Sequence, residues 1–383
     1  MREDLSWDIF CRVVDNFGDT GVCWRLAREL AAEHQAKIRL WIDDLRSLTR
    51  LNQAVALVQQ QSVDGVQVVQ WTGALPATQP AKVVIEAFGC GLPDEYVAAM
   101  AQSSPRPLWI VLEYLSAEPW VADHHGLPSP HPRMSLERYF FFPGFVSGSG
   151  GLLREKDLFA RRDHFAAAQR QSFWRSIGYD APPGEASTVS LFAYETAPLR
   201  ELLQCWEAGD APVVAAVPES RVLPVVLEHF GAHDLYPGRI LRRGALELRI
   251  VPFLPQVRYD ELLWACDFNF VRGEDSFVRA QWAARPFVWH TYPQQDQAHW
   301  DKLDAFLALY GQGLPRAALD AVCGLTRLWN QIEVPGVTPA SAWEAYVRER
   351  PTLTRHSVSW AGRIAAVGEL AENLARFCLS KLK

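Results

Sequence analysis

DIFCRVVDNFGDTGVCWRLARELAAEHQAKIRLWI, residues 8–42, reads as a strand, a turn, a helix and a second strand. Asp8–Val14 is a short apolar run suited to a buried parallel strand. The DNFGDTG that follows has glycines at 18 and 21, which permit a tight turn. From Val22 the apolar residues Cys23, Leu26, Ala27, Leu30 and Ala31 recur at threes and fours, which predicts a helix, and Ile38–Ile42 opens the next strand. Strands that alternate with helices in this way build a parallel sheet.

The alternation continues outward from this unit. Strands are predicted at Val66–Val69, Val83–Ala87 and Pro107–Leu112. Residues 116–152, with five prolines and the run GFVSGSGG, predict a long loop region, within which 116–150 is a candidate binding surface. Ala181-Pro-Pro-Gly-Glu185 reads as an interdomain linker, because tandem prolines stop a helix and a second series of strands begins directly after. That series runs through Ser187–Glu195, Pro212–Pro218, Leu246–Leu254, Asp267–Ser276 and Pro286–Tyr292. The chain closes with a helix predicted over Trp360–Leu382, with Ser359 as N-cap. The expected organisation is α/β: a Rossmann-like domain over 1–180 and another over 185–358, with the helix 360–383 able to pack back on the first. Such sheets bind ligands beyond the carboxyl ends of their strands, so two facing domains would share a cleft.

Composition narrows the function classes. In 383 residues, 49% apolar, 38 Lys+Arg stand against 44 Asp+Glu for a net charge of -6, and no basic stripe marks a nucleic-acid partner. No apolar run approaches the ~18 residues of a membrane helix, and MREDLSWDIF has no signal-peptide pattern. A soluble, cytoplasmic protein without nucleic-acid or membrane partners is expected. The 7 cysteines form no CxxC pair and, being odd in number, no closed disulfide set, so they read as small buried hydrophobes. His124, His125 and His131 lack zinc spacing, and neither GxSxG nor GxxxxGK[ST] occurs. The 15 Trp, 19 Phe and 10 Tyr supply rings for core or for stacking on a flat ligand.

Three segments carry chemistry. Asp15 and Asp19 lie in a glycine-containing strand-to-helix turn, where Asp19 or Thr20 can equally be an ordinary helix cap. The GxGxxG pattern is not met, and two carboxylates there would repel a phosphate, so the loop suits a base. Arg272-Gly-Glu-Asp-Ser276 joins a buried strand to a helix, and its N–H groups, hydroxyl and macrodipole suit a diphosphate. Glu274 is better used on hydroxyls or on a cationic substrate, and Asp275 or Ser276 as a plain cap is the alternative. Phe253 and Gln256 offer a ring and an amide for a nucleobase, Phe253 as core being equally open. Phe192 and Tyr194 alternate onto one side of their strand and can line the same cleft.

Asp15-Asn-Phe-Gly-Asp-Thr-Gly21 and Arg272-Gly-Glu-Asp-Ser-Phe-Val-Arg-Ala-Gln281 closely resemble the protein-arginine rhamnosyltransferases that modify bacterial elongation factor P. Leu112–Glu118, Phe140–Phe145, Pro252–Gln256 and Pro286–His290 look like that family too, so the resemblance covers nearly the whole chain. It implies a GT-B glycosyltransferase of two Rossmann-like domains, with donor in the C-terminal half and protein acceptor at the N-terminal half. The donor implied is dTDP-β-L-rhamnose, the acceptor an arginine on the N-terminal domain of elongation factor P, and the outcome inversion. Carried over by resemblance, Asp19 matches the general base and Asp15 its companion carboxylate. Phe192, Phe253 and Gln256 match nucleotide contacts; Glu274, Asp275 and Ser276 match the sugar and diphosphate loop; Arg272 and Tyr292 match further donor contacts.

Physical chemistry makes sense of these roles. A guanidinium, with a pKa above about 12, is a poor nucleophile until it is desolvated and a proton is removed or polarised. Asp19 can do this through a charge-assisted hydrogen bond while Asp15 orients the group. A helix N-terminus at Ser276 can stabilise the departing diphosphate in place of a metal, so no cofactor is expected. Two rivals are a GT-B transferase with another nucleotide sugar and a small acceptor, and a non-catalytic translation-factor-binding protein. Paired carboxylates in both loops disfavour the second.

Overall fold

The computed structural model describes residues 5–72, 78–234, 236–294 and 297–382, which form two compact units. Unit 1 comprises Met1–Glu155 and Arg363–Lys383, and unit 2 comprises Lys156–Gly362.

Among the described residues, unit 1 is built on eight strands: β1 Ser6–Cys11, β2 Lys37–Ile42, β3 Gln60–Val63, β4 Val66–Gln70, β5 Val83–Ala87, β6 Leu108–Leu112, β7 Pro128–Pro130 and β8 Glu137–Phe141. Their order is β3-β4-β2-β1-β5-β6-β8-β7, parallel within and closed at each edge by an antiparallel strand. The register sets Ile9 beside Leu40 and, on the other face, Phe10 beside Trp41. The predicted loop over 116–152 is therefore corrected. It contains the helix Trp120–His124 and strands β7 and β8; the prolines of β7, Pro128 and Pro130, are tolerated because an edge strand needs only half its N–H groups for the ladder.

The first helix runs over Asn16–His34, six residues earlier than the sequence periodicity predicts. Gly18 and Gly21 read as turn residues but lie inside it. At Gly18 the reason is space: an added Cβ would come within 2.6 Å of Asp15 Oδ2. Val22, Cys23, Leu26, Ala27 and Leu30 of this helix pack on the sheet, and Leu370, Ala371, Leu374, Ala375 and Cys378 of the helix Leu370–Lys381 join the same core.

The chain leaves unit 1 beside the place where it returns. Leu152 bridges Glu369, and Leu370 N–H donates to Leu152 O at 3.1 Å. Arg25, 1% exposed, pins the outgoing segment by donating from Nε and Nη2 to Glu155 at 2.8 Å each. Glu29 sits near three of these charges, and burial together with Glu155 and Glu369 raises its pKa to about 7.

Unit 2 has β9 Ser187–Leu191, β10 Val213–Pro218, β11 Ile240–Arg243, β12 Leu246–Val251, β13 Phe268–Arg272 and β14 Phe287–His290. Their order is β11-β12-β10-β9-β13-β14, with β11 alone antiparallel. The boundary expected at 180–185 falls at 155–156 instead, because Phe173 and Trp174 of the helix Ala167–Ser176 bury themselves with Ala216, Val251 and Leu262 of unit 2. Pro182 and Pro183 mark a turn inside unit 2, where Ala186 N–H returns to Pro183 O. Ser359 caps no helix. It lies within Arg350–Ala365, and the break before Leu370–Lys381 comes at Gly368, whose φ of +106° suits glycine. Cys205 and Cys323 are half-buried, unlike the other five cysteines.

Candidate active site

In unit 1 the DNFGDTG segment leaves β1 and becomes the first turn of Asn16–His34. Asp15 occupies the N-cap, and its side chain makes no capping bond. Asp19 turns back from inside the helix and accepts the N–H groups of Val14 at 2.8 Å and Asp15 at 2.9 Å on one oxygen. The capping alternative is thus realised through that oxygen, and it holds the carboxylate in place. Asp19 is 2% exposed. Burial raises its pKa; the two N–H bonds oppose the rise, the Asp15 charge adds to it, and a hydrogen bond from Tyr114 opposes it. The result is a basic carboxylate at the carboxyl end of β1, where α/β sheets receive ligands.

Tyr114, just beyond β6, was not singled out as a site residue by sequence reasoning. The signal available was its place in Leu112–Glu118, the motif after a strand. Its ring stacks on Phe88 at 4.5 Å. Phe88 holds φ at +56°, unusual for a bulky residue, and its N–H bonds Leu112 O at 2.7 Å.

In unit 2 the candidate donor residues converge at the carboxyl ends of β9, β12, β13 and β14. Arg272, 6% exposed, lays its guanidinium 4.4 Å from the Phe192 ring and 4.6 Å from the Tyr194 ring and donates to Ala193 O at 3.3 Å. Tyr194 meets Tyr292 edge-on at 5.5 Å and His290 at 5.2 Å. His290 Nδ1 accepts Tyr194 N–H at 3.3 Å, and burial beside Arg272 drops its pKa to about 3, so the ring is neutral.

The turn itself is built by Gly273, with φ +59°, and by Ser276. Ser276 Oγ accepts Arg272 N–H at 3.0 Å and donates to Arg272 O. Glu274 is the N-cap of the helix Asp275–Trp282, and it makes no side-chain capping bond. Asp275 instead accepts Gln256 Nε2 and Arg279 Nε, each at 3.1 Å, and Arg279 goes on to Asp260 at 2.8 Å. Gln256 is thus tied to the Arg272–Ser276 loop, and Phe253 lies half-buried three residues before it. Arg279, Asp260 and His290 escaped sequence reading because they act through side-chain partners distant in sequence. Tyr259, edge-on to Phe192 at 5.9 Å, carries a buried hydroxyl with no hydrogen bond among the described residues.

The wider molecule adds little competing chemistry. Among the described residues no group of three His, Cys, Asp or Glu side chains is placed to hold a metal. No helix among them is long and apolar enough to cross a membrane.

The profile of the family described as elongation factor P (EF-P) rhamnosyltransferase EarP matches residues 7–379. A protein-arginine rhamnosyltransferase of Pseudomonas putida is 48% identical over 380 residues, 98% of this chain and 99% of that protein. A solved structure described as the structural basis for EarP-mediated arginine glycosylation of translation elongation factor EF-P superposes with a TM-score of 0.68 at 37% identity, covering 97% of this chain and 98% of that one. A glycosyltransferase of kitacinnamycin, at 13% identity, shares the fold with a TM-score of 0.53 over 98% of this chain and 100% of its own.

Proposed function

Since the chain belongs to the elongation factor P rhamnosyltransferase family, we propose that it transfers L-rhamnose from dTDP-β-L-rhamnose to an arginine of elongation factor P, with inversion. It is a glycosyltransferase of two Rossmann-like units, the GT-B fold. The observation that carries the catalytic reading is Asp19: buried, basic for a carboxylate, and set beside the less buried Asp15.

In this mechanism the acceptor guanidinium binds to Asp15 and Asp19 of unit 1. Asp15 orients it, and Asp19 accepts a proton from one N–H, which leaves the bonding pair on that nitrogen and makes it nucleophilic. One guanidinium nitrogen attacks the anomeric carbon from the face opposite the diphosphate, forming a C–N bond as the C–O bond breaks. The transition state is oxocarbenium-like. The proton ends on Asp19, and the electron pair of the broken bond leaves with dTDP. Arg272 and the N–H groups at the start of Asp275–Trp282 stabilise the charge that develops there. Phe192 and Phe253 stack the nucleotide, Gln256 bonds it, and Glu274 with Asp275 bind sugar hydroxyls. The side chains supply charge stabilisation themselves, so catalysis is proposed to be metal-independent and to occur in the cytoplasm with the translation machinery.

Intact-mass analysis tests the reading. Incubation with elongation factor P and dTDP-rhamnose is expected to add one deoxyhexose to a single arginine, and no mass shift with active donor would sink it. Asp19→Asn is expected to bind donor as the wild type does and to lose transfer; normal turnover would remove Asp19 as base. Excess EDTA is expected to leave the rate unchanged, whereas loss restored by Mg²⁺ would overturn metal independence.

A further inference from the structure

Unit 1 has a pocket of about 480 Å³ that the mechanism above does not use. It is lined by Arg12, Asp43, Trp71 and Cys90–Pro93, which follow β1, β2, β4 and β5. From β1 the sheet grows one way through β2 and β4 and the other way through β5 and β6, so the pocket lies where strand order reverses. That is the position at which open α/β sheets bind ligands.

The charges in the pocket are unevenly satisfied. Asp43 accepts Val13 N–H at 2.9 Å, which also ties the pocket to the segment leading to Asp15. The Cys90 thiol donates to Phe10 O at 3.4 Å, and burial pushes its pKa up to about 12, so it is no thiolate. Beneath it, Glu86 is occupied by Gly91 N–H at 3.0 Å and Trp109 Nε1 at 3.1 Å. Arg12 is exposed, lies over the buried Trp71 ring at 5.3 Å, and has no ion pair among the described residues.

An unpaired guanidinium is out of place here. It stands three residues before Asp15, beside a loop that in the proposed reaction receives another guanidinium. Left alone it repels the substrate, and like-charge juxtaposition is costly to docking. A carboxylate brought by the substrate removes that cost and turns Arg12 into a means of choosing it.

We infer that this pocket takes an acidic side chain of the acceptor protein, which pairs with Arg12 over Trp71 while the acceptor arginine engages Asp15 and Asp19. The inference rests on acceptor binding at unit 1 as proposed above. It makes Arg12 a specificity residue that reads the neighbourhood of the modified arginine and rejects proteins with a base there.

Steady-state kinetics of the full chain with elongation factor P and dTDP-rhamnose test it. Arg12→Glu is expected to raise KM for the acceptor about tenfold and leave kcat and the donor KM within about twofold, the pattern of a lost docking charge. Arg12→Lys keeps the charge but not the flat stacking group and is expected to fall between. Added salt should erode the wild-type advantage over Arg12→Glu. Alanine replacement of the acceptor's acidic residues near its arginine should reveal one whose effect vanishes in the Arg12→Ala background. An unaltered acceptor KM in Arg12→Glu, with wild type active, overturns the inference alone. If the wild type transfers nothing to elongation factor P, the premise falls and the inference with it.

Discussion

As the proposed base, Asp19 combines a raised pKa with structural duties. One oxygen accepts two backbone N–H groups, and the same burial that requires those bonds raises the pKa. Transfer needs the ionised form, so activity should rise with pH through the raised pKa of Asp19 and fade below it. Tyr114→Phe deletes a donor that favours the carboxylate. The acid limb of the kcat/KM profile should therefore move to higher pH, with donor KM unchanged; a limb that stays in place would show that Tyr114 does not act through Asp19. Asp15 and Asp19 were legible in sequence because two carboxylates in a glycine-bearing turn are uncommon chemistry at a helix start. Tyr114 was less so, because its bond to Asp19 joins residues far apart in the chain. Arg272 was legible as a loop residue, but its seat between Phe192 and Tyr194 depends on two strands meeting.

The central strands of both sheets were readable as short, largely apolar runs, since a parallel strand is buried on both faces. β3, β7 and β11 at the edges, and β8 beside β7, were not: they carry charged or polar residues or proline, so hydrophobicity does not announce them. Helix boundaries misled where glycine had a packing reason rather than a turn, as at Gly18, and where one long amphipathic pattern hid the break at Gly368. The helix Leu370–Lys381 bears directly on stability. Leu374 is fully buried in the core of unit 1. Leu374→Ala is expected to cost about 2–5 kcal/mol, measured by denaturant unfolding of the full chain. A cost near zero would mean this helix closes no core.

Over the whole molecule, the division into two units was visible in the repeated alternation of strands and helices, but its boundary was not. Tandem prolines at 182 and 183 looked decisive, yet apolar burial by Phe173 and Trp174 outweighed them. The charges around the two chain crossings also set a pH dependence. Glu29 has a folded pKa of about 7 against an ordinary 4.5. Folding thus favours its protonated form, so the associated stability is full below about pH 4.5 and is lost as pH rises through 7. The melting temperature should decline between about pH 4.5 and 7, and Glu29→Gln should flatten that decline; an equal slope in the variant would exclude Glu29 as its source.

The return of Leu370–Lys381 to unit 1 has a consequence for synthesis on the ribosome. Unit 2 is one uninterrupted stretch, complete once Gly362 has emerged, whereas unit 1, begun first, still lacks the helix that supplies Leu370, Leu374 and Cys378 to its core. The half translated earlier is therefore the half finished later, and its exposed sheet face must wait through the making of all of unit 2. A nascent chain stalled before Leu370 would carry a finished unit 2 joined to a unit 1 still open to chaperones and proteases.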